Sequence, residues 1–288
     1  MNEIKKISQK EFPQKLLEIP QPPKQLFIKG EIPDWENSKF VAIVGSRKYS
    51  NYGQEACEKI ISELQGYDVT IVSGLAIGID SIAHRSALKN NLKTIAVPGS
   101  GLDSSIIYPS INKKLADEII KSGGCLVSEF EPDFRATIWS FPQRNRIMAG
   151  LSDVILVIEA GEKSGTLITA RMGSDYNKDV AVVPASIFSQ GAKGSNKLLR
   201  QGATPITCGA DLLELLNFST ENNSGQKILN LDDFSTEERK IIELLNEPKS
   251  RDEIIRESGI SVTELNPLIS LMEIKGVVKE SGGEIYLS

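Results

Sequence analysis

Two arginines spaced around an asparagine, Arg144-Asn145-Arg146, open the part of the chain richest in reactive groups. Guanidinium forks of this kind meet two phosphate oxygens at once. As helix neighbours two apart, the pair cannot both face one ligand. One is expected to bind phosphate and the other to brace an acidic loop residue such as Glu159, and the spacing leaves open which is which. Farther on, Ser164, Gly165 and Thr166 lie between an apolar run, Val154–Ile158, and a helix expected to begin near Leu167. A small-residue turn there leaves backbone N–H groups and hydroxyls free for an anion, although a plain capped turn uses the same residues. Fixed cations beside such a cradle are chemistry for holding a phosphate backbone.

Other candidates repeat the theme. Gly45, Ser46 and Arg47 follow the apolar run Val41–Val44 directly, which would set the Arg47 guanidinium at the end of a strand. Gly74 and Gly78 allow close backbone approach, either to a ligand or between a helix and a strand. Phe141 can stack on a base or pack beside Pro142. Lys193, Gly194 and Asn196 can close a groove or form a mobile loop. His84 is the only histidine and stands four residues after Asp80, with no second histidine or cysteine near enough for a metal site, so it is read as structural. No residue pattern calls for a cofactor.

These residues need a scaffold, and the hydrophobic pattern supplies one. Strands are expected at Val41–Val44, Val69–Val72, Thr94–Val97, Cys125–Ser128, Val154–Ile158 and Val180–Val183. Helices alternate with them near Gly53–Leu64, Ala83–Leu88, Asn112–Lys121, Asn196–Gln201 and Asp211–Leu216, with a short helical turn at Ile147–Leu151. Continuous apolar strands alternating with helices predict an α/β fold, a doubly wound, mostly parallel sheet whose ligands sit beyond the strands' carboxyl ends. Residues 1–38 read as an irregular lead-in broken by Pro20, Pro22 and Pro23, with a short edge strand at Leu26–Gly30. The expected order is therefore lead-in 1–38, sheet domain 39–218, linker 219–230 and a tail module 231–288.

In the tail, Ser235 with Glu238 and Ser261 with Glu264 are capping boxes, Gly259 stops a middle helix, and residues 277–280 and 284–287 form a hairpin. Three helices and a hairpin predict a winged helix. Composition narrows the function. The chain carries 33 Lys+Arg against 38 Asp+Glu, a net charge of −5. From Leu231 onward 7 bases stand against 13 acids, leaving 26 against 25 in the rest. The body can carry a local basic groove, whereas the tail is no generic DNA clamp. No apolar run approaches the ~20 residues that span a bilayer. Cys57, Cys125 and Cys208 lie far apart, as in a reduced cytoplasmic protein.

The motifs resemble the DprA/Smf DNA-processing proteins of bacteria. The matching strings are Val41-Ala-Ile-Val-Gly-Ser-Arg47, Ser73-Gly-Leu-Ala-Ile-Gly-Ile-Asp80 with Ala83-His84, and Gly101-Leu-Asp103 with Tyr108-Pro109. Phe141-Pro-Gln-Arg-Asn-Arg146, Ala149-Gly-Leu-Ser152, Ser164-Gly-Thr-Leu-Ile-Thr-Ala170 and Gly194-Ser-Asn196 match as well. The resemblance implies a Rossmann-like domain that binds single-stranded DNA, forms a homodimer and loads the RecA recombinase during natural transformation, without catalysis. It also implies that the helical domain many members carry in front is missing here.

Three rivals are weaker. A LOG-type nucleotide phosphoribohydrolase shares the sheet and the Gly-Thr turn, but Glu162-Lys163 replaces its two glycines and Thr169 stands where its carboxylate belongs. A nicotinamide dehydrogenase needs GxGxxG where this chain has Gly45-Ser46-Arg47-Lys48. A transcription factor reading DNA through the tail would use a helix at 262–275 carrying Glu264 and Glu273 against Lys275 alone.

Overall fold

The computed structural model describes residues 3–218, 234–245 and 247–287, and the chain divides into two compact units, Met1–Asn222 and Asn223–Ser288. In the first, β1 (Ile4–Ser8), α1 (Gln14–Leu17) and β2 (Gln25–Gly30) precede β3 (Lys39–Val44), α2 (Asn51–Ser62), β4 (Val69–Ser73), α3 (Ile79–Lys89) and β5 (Thr94–Ala96). There follow α4 (Lys113–Lys121), β6 (Cys125–Ser128), α5 (Ser140–Leu151), β7 (Val154–Val157), α6 (Thr166–Asp175) and β8 (Asp179–Val182). The unit closes with α7 (Lys193–Arg200), β9 (Thr204–Pro205) and α8 (Gly209–Leu215).

These strands form one sheet in the order β1-β2-β6-β5-β4-β3-β7-β8-β9. From β6 to β9 every pairing is parallel, so the fold is the doubly wound α/β architecture that the alternation of strands and helices implies. Period-2 alternation splits the core. Val41, Ile43, Val154 and Leu156 face the layer holding α2, α3 and α8, while Phe40, Ala42, Val44, Ile155 and Val157 face the layer holding α1 and α5. The strands are buried on both faces, which is why they read as unbroken apolar runs.

The lead-in is not irregular, and its strand is not an edge. β2 pairs antiparallel with β6 on one side and with β1 on the other, and Leu26 and Ile28 are fully buried. The true edge is β1, where Lys5 and Lys6 keep the outer strand soluble and discourage further pairing. The three prolines lie between α1 and β2, where no ladder needs the N–H that proline lacks. The expected turn at Ile147–Leu151 is instead the end of a helix that starts at Ser140. Pro142 falls in its first turn, where the missing N–H would have had no intrahelical partner.

The second unit contains α9 (Thr236–Leu244), β10 (Lys249–Ser250), α10 (Arg251–Ser258), α11 (Val262–Ile274), β11 (Val278–Ser281) and β12 (Glu284–Leu287), with sheet order β10-β12-β11. Ser235, Ser250 and Ser261 each cap a helix reciprocally with a glutamate three residues on. Gly259 ends α10 in the left-handed region at φ 71°. The expected linker, 219–230, and the first residues of the expected tail, 231–233, lie outside the described residues.

Candidate nucleic-acid interface

Between β3 and β7 the order of winding reverses, and the loops leaving their carboxyl ends part around a cleft of about 510 Å³. Gly45, Ser46, Arg47 and Lys48 form one wall, Lys163, Ser164, Gly165 and Thr166 a second, and Phe141, Arg144 and Asn145 of α5 a third. Asp80, at the start of α3, is the only carboxylate among the lining residues.

Glu159 fixes the wall that carries Arg47. Its carbonyl accepts the Ser46 amide at 2.7 Å, and its carboxylate accepts the amide and hydroxyl of Ser50 at 2.8 and 2.9 Å. A Cβ on Gly53 or Gly191 would lie 2.5 or 2.6 Å from that carboxylate. Within the loop, Ser46 Oγ donates to the Lys48 carbonyl at 2.7 Å and accepts the Lys48 amide at 3.0 Å. The Ser46 hydroxyl is thus committed to the turn, and Gly45 is small because a Cβ there would strike Ile79 at 2.6 Å. Arg47 and Lys48 are left exposed, and Arg47 makes no ion pair among the described residues. Its guanidinium lies 5.6 Å from the centre of the Phe141 ring, within reach of a cation–π contact. Phe141 itself rests on Gly99, where a Cβ would come within 2.6 Å of the ring.

The two arginines of α5 go separate ways, Arg144 to the cleft and Arg146 to an acidic loop residue, which is Glu129 and not Glu159. Arg144 is only 4 % exposed and forms the cleft floor. Its Nη1 donates to the Val97 carbonyl at 2.6 Å and to Met148 Sδ at 3.4 Å. It lies so close over Gly74 that a Cβ there would fall 1.7 Å from Nη1. The close approach that Gly74 permits is therefore to Arg144, not to a ligand. Asp80 Oδ2 accepts the Gly74 and Ala76 amides at 3.1 and 3.4 Å. Burial pushes the Asp80 carboxyl up, with Arg144 and the two amides pulling it back. Burial also lowers the Arg144 guanidinium to about 10, against the raising influence of Asp80. It remains charged at neutral pH and gives the floor a fixed positive centre.

Arg146 points away from the cleft. It pairs with Glu129 and donates to the Gln21 carbonyl at 2.6 Å, tying α5 to the segment before β2. Neither arginine braces Glu159. Nor does the start of α7 reach the cleft: Lys193 is exposed outside it, and Asn196 Nδ2 donates to the Ala185 carbonyl at 3.1 Å. Gly194 and Ser195 instead support the turn after β7, both amides donating to the Ala160 carbonyl at 2.8 and 3.1 Å.

The turn after β7 is partly self-satisfied. Ser164 Oγ accepts the Thr166 amide at 3.2 Å, and the Leu167 and Ile168 amides bond to Ser164 and Gly165 carbonyls, each at 3.1 Å. Among the described residues the Glu162, Lys163 and Gly165 amides of this turn have no hydrogen-bond partner. Gly165 has an ordinary helical conformation, φ −60°, and a Cβ on it would meet nothing within 4 Å. Lys48 and Lys163, which the sequence names only in setting rival folds aside and not as binding residues, also line the cleft, each beside a residue singled out as a candidate.

Comparison with known proteins places the chain in a family. The family model described as DNA recombination-mediator protein A matches residues 3–217. The chain belongs to that family. The DNA processing protein DprA of Streptococcus pneumoniae is 42% identical over 207 residues, 72% of each chain. Protein Smf of Escherichia coli is 40% identical over 207 residues, 72% of this chain but 54% of that one, so the match spans about half of that relative's length. The X-ray structure of the Streptococcus pneumoniae protein superposes with a TM-score of 0.69 at 39% identity, covering 75% of both chains. A structure of DNA processing protein A from Helicobacter pylori, described for its mode of binding single-stranded DNA, gives 0.67 at 32% identity over 75% of this chain and 96% of that one. Among the described residues no helix is long and apolar enough to cross a membrane.

Proposed function

We propose that this family member binds single-stranded DNA along the cleft between β3 and β7, gripping the sugar–phosphate chain, and that it loads a RecA recombinase onto the strand as a homodimer. The observation that carries the reading is the convergence of Arg47, Lys48 and Lys163, all exposed, on a cleft whose floor is the buried Arg144 charge. Phosphate contacts of this kind carry no base information, and their strength falls as salt rises. Arg47 offers a fork without an ion pair and Gly165 an amide without a partner among the described residues, and Phe141 offers a ring on which a base can lie. In the second unit the three helices and three-stranded sheet support the winged-helix reading.

Binding without bond breaking agrees with the chemistry of the lining. In the sequence Thr169 stands where the phosphoribohydrolase motif has its carboxylate, and Asp80 is held by two amides beside Arg144. A salt-titrated gel shift with single- and double-stranded probes of equal length tests the reading. Oligo-dT should bind more tightly than duplex, with affinity falling steeply with salt. Arg47→Ala should weaken all single-stranded sequences alike and reduce the salt slope by about one. Preference for duplex, or release of adenine from AMP, would overturn it.

A further inference from the structure

Beside the cleft, the Phe141 ring has an aromatic neighbour that is not among the lining residues. Tyr108 lies 5.7 Å from it, centre to centre, at an interplanar angle of 49°. Phe141 also has the Arg47 guanidinium 5.6 Å from its ring centre, so it touches both a cation that lines the cleft and a phenol that does not. Tyr108 is 48 % exposed, and its hydroxyl has no hydrogen-bond partner among the described residues. Its backbone is firmly placed. The Tyr108 amide donates to Ser100 Oγ at 3.3 Å, the preceding Ile107 is buried in the core, and the Ile106 and Ile107 amides close onto the Asp103 carbonyl at 2.8 and 3.2 Å. An aromatic side chain fixed at its root and left half in water is poorly explained by folding, which favours burying it.

We infer that Tyr108 is a base-stacking position: a strand held by its phosphates in the cleft continues over Phe141 and lays the next base on the Tyr108 ring. This rests on the proposed function. Nucleobases are favoured over a protein partner because the ring is continuous, through Phe141, with the exposed guanidinium that would hold the neighbouring phosphate. Stacking on an aromatic face is tolerant of sequence, as a phosphate-gripping protein requires. The position therefore adds affinity for bases as a class without selecting among them.

The test separates bases from backbone. The full chain is titrated with oligo-dT and with an abasic sugar–phosphate oligomer of the same length, as wild type, Tyr108→Ala, Tyr108→Leu and Tyr108→Phe. The expected result is about tenfold weaker oligo-dT binding for the alanine and leucine variants, near-native binding for phenylalanine, and abasic binding unchanged throughout. Leucine keeps the apolar bulk, so its agreement with alanine marks the loss of a π face rather than a disturbed loop. Equal losses on both probes, or no loss on either, would overturn the inference, the latter leaving Tyr108 to a protein surface. Salt-dependent binding of wild type to the abasic probe would leave the phosphate-gripping cleft standing in that case. If wild type bound neither probe, cleft and stacking position would fall together.

Discussion

Gly165 lines the cleft and Gly74 lies beneath its floor, and the reasons for their missing side chains are opposite. At Gly74 the space is already filled by Arg144, and any Cβ would displace a buried guanidinium from the Val97 carbonyl. A buried charge stripped of its partners is costly, so Gly74→Ala should lower stability by about 3 kcal/mol or more in urea denaturation. At Gly165 the space is empty and the backbone is one any residue adopts. Gly165→Ala should leave stability within about 0.5 kcal/mol while weakening oligo-dT binding several-fold. An alanine at 165 that bound normally would remove this amide from the interface.

At the scale of elements, α5 distributes its side chains by helical geometry. Phe141 and Asn145, four apart, face the cleft. Arg144 and Met148, also four apart, form the floor, and Arg146 turns toward the segment before β2. Helix α3 lies beside that floor and carries a titratable group with no ligand to serve. His84 Nδ1 meets Thr94 Oγ1 at 2.7 Å, and because that hydroxyl donates to the Ile71 carbonyl, the imidazole must donate to it. Burial, and secondarily the nearby Arg144 charge, hold His84 down to about 3. Its folded value lies below its unfolded one, near 6.5, so the unfolded chain takes up the proton first. Stability from this source is full above pH 6.5 and drains away as pH falls toward 3. Between pH 7 and 5 the loss is about 2 kcal/mol. His84→Asn, which keeps a donor near Nδ1, should flatten that arm in denaturation curves at the two pH values. Equal slopes in both proteins would contradict the assignment.

The whole molecule is two units with separate cores, Met1–Asn222 and Asn223–Ser288. Every residue placed at the cleft belongs to the first. The second contributes capped helices and a surplus of acids, which repel phosphate. Removing residues 223–288 should leave single-strand affinity within about twofold in the gel shift. A collapse of binding would show that the acidic unit takes part in holding the strand.

The amino-acid pattern alone determined the alternation of strands and helices, the doubly wound class and the rim where the loops gather, because hydrophobic period and small-residue turns are local properties. It also singled out Arg47 and the 164–166 turn. What it did not determine was partnership. Whether Arg144 faced solvent or filled the space above Gly74, whether Arg146 met Glu159 or Glu129, and whether residues 25–30 formed an edge or an inner strand depend on groups far away in sequence. Only the packed fold brings those groups within the few ångströms over which charges, hydrogen bonds and steric contacts act.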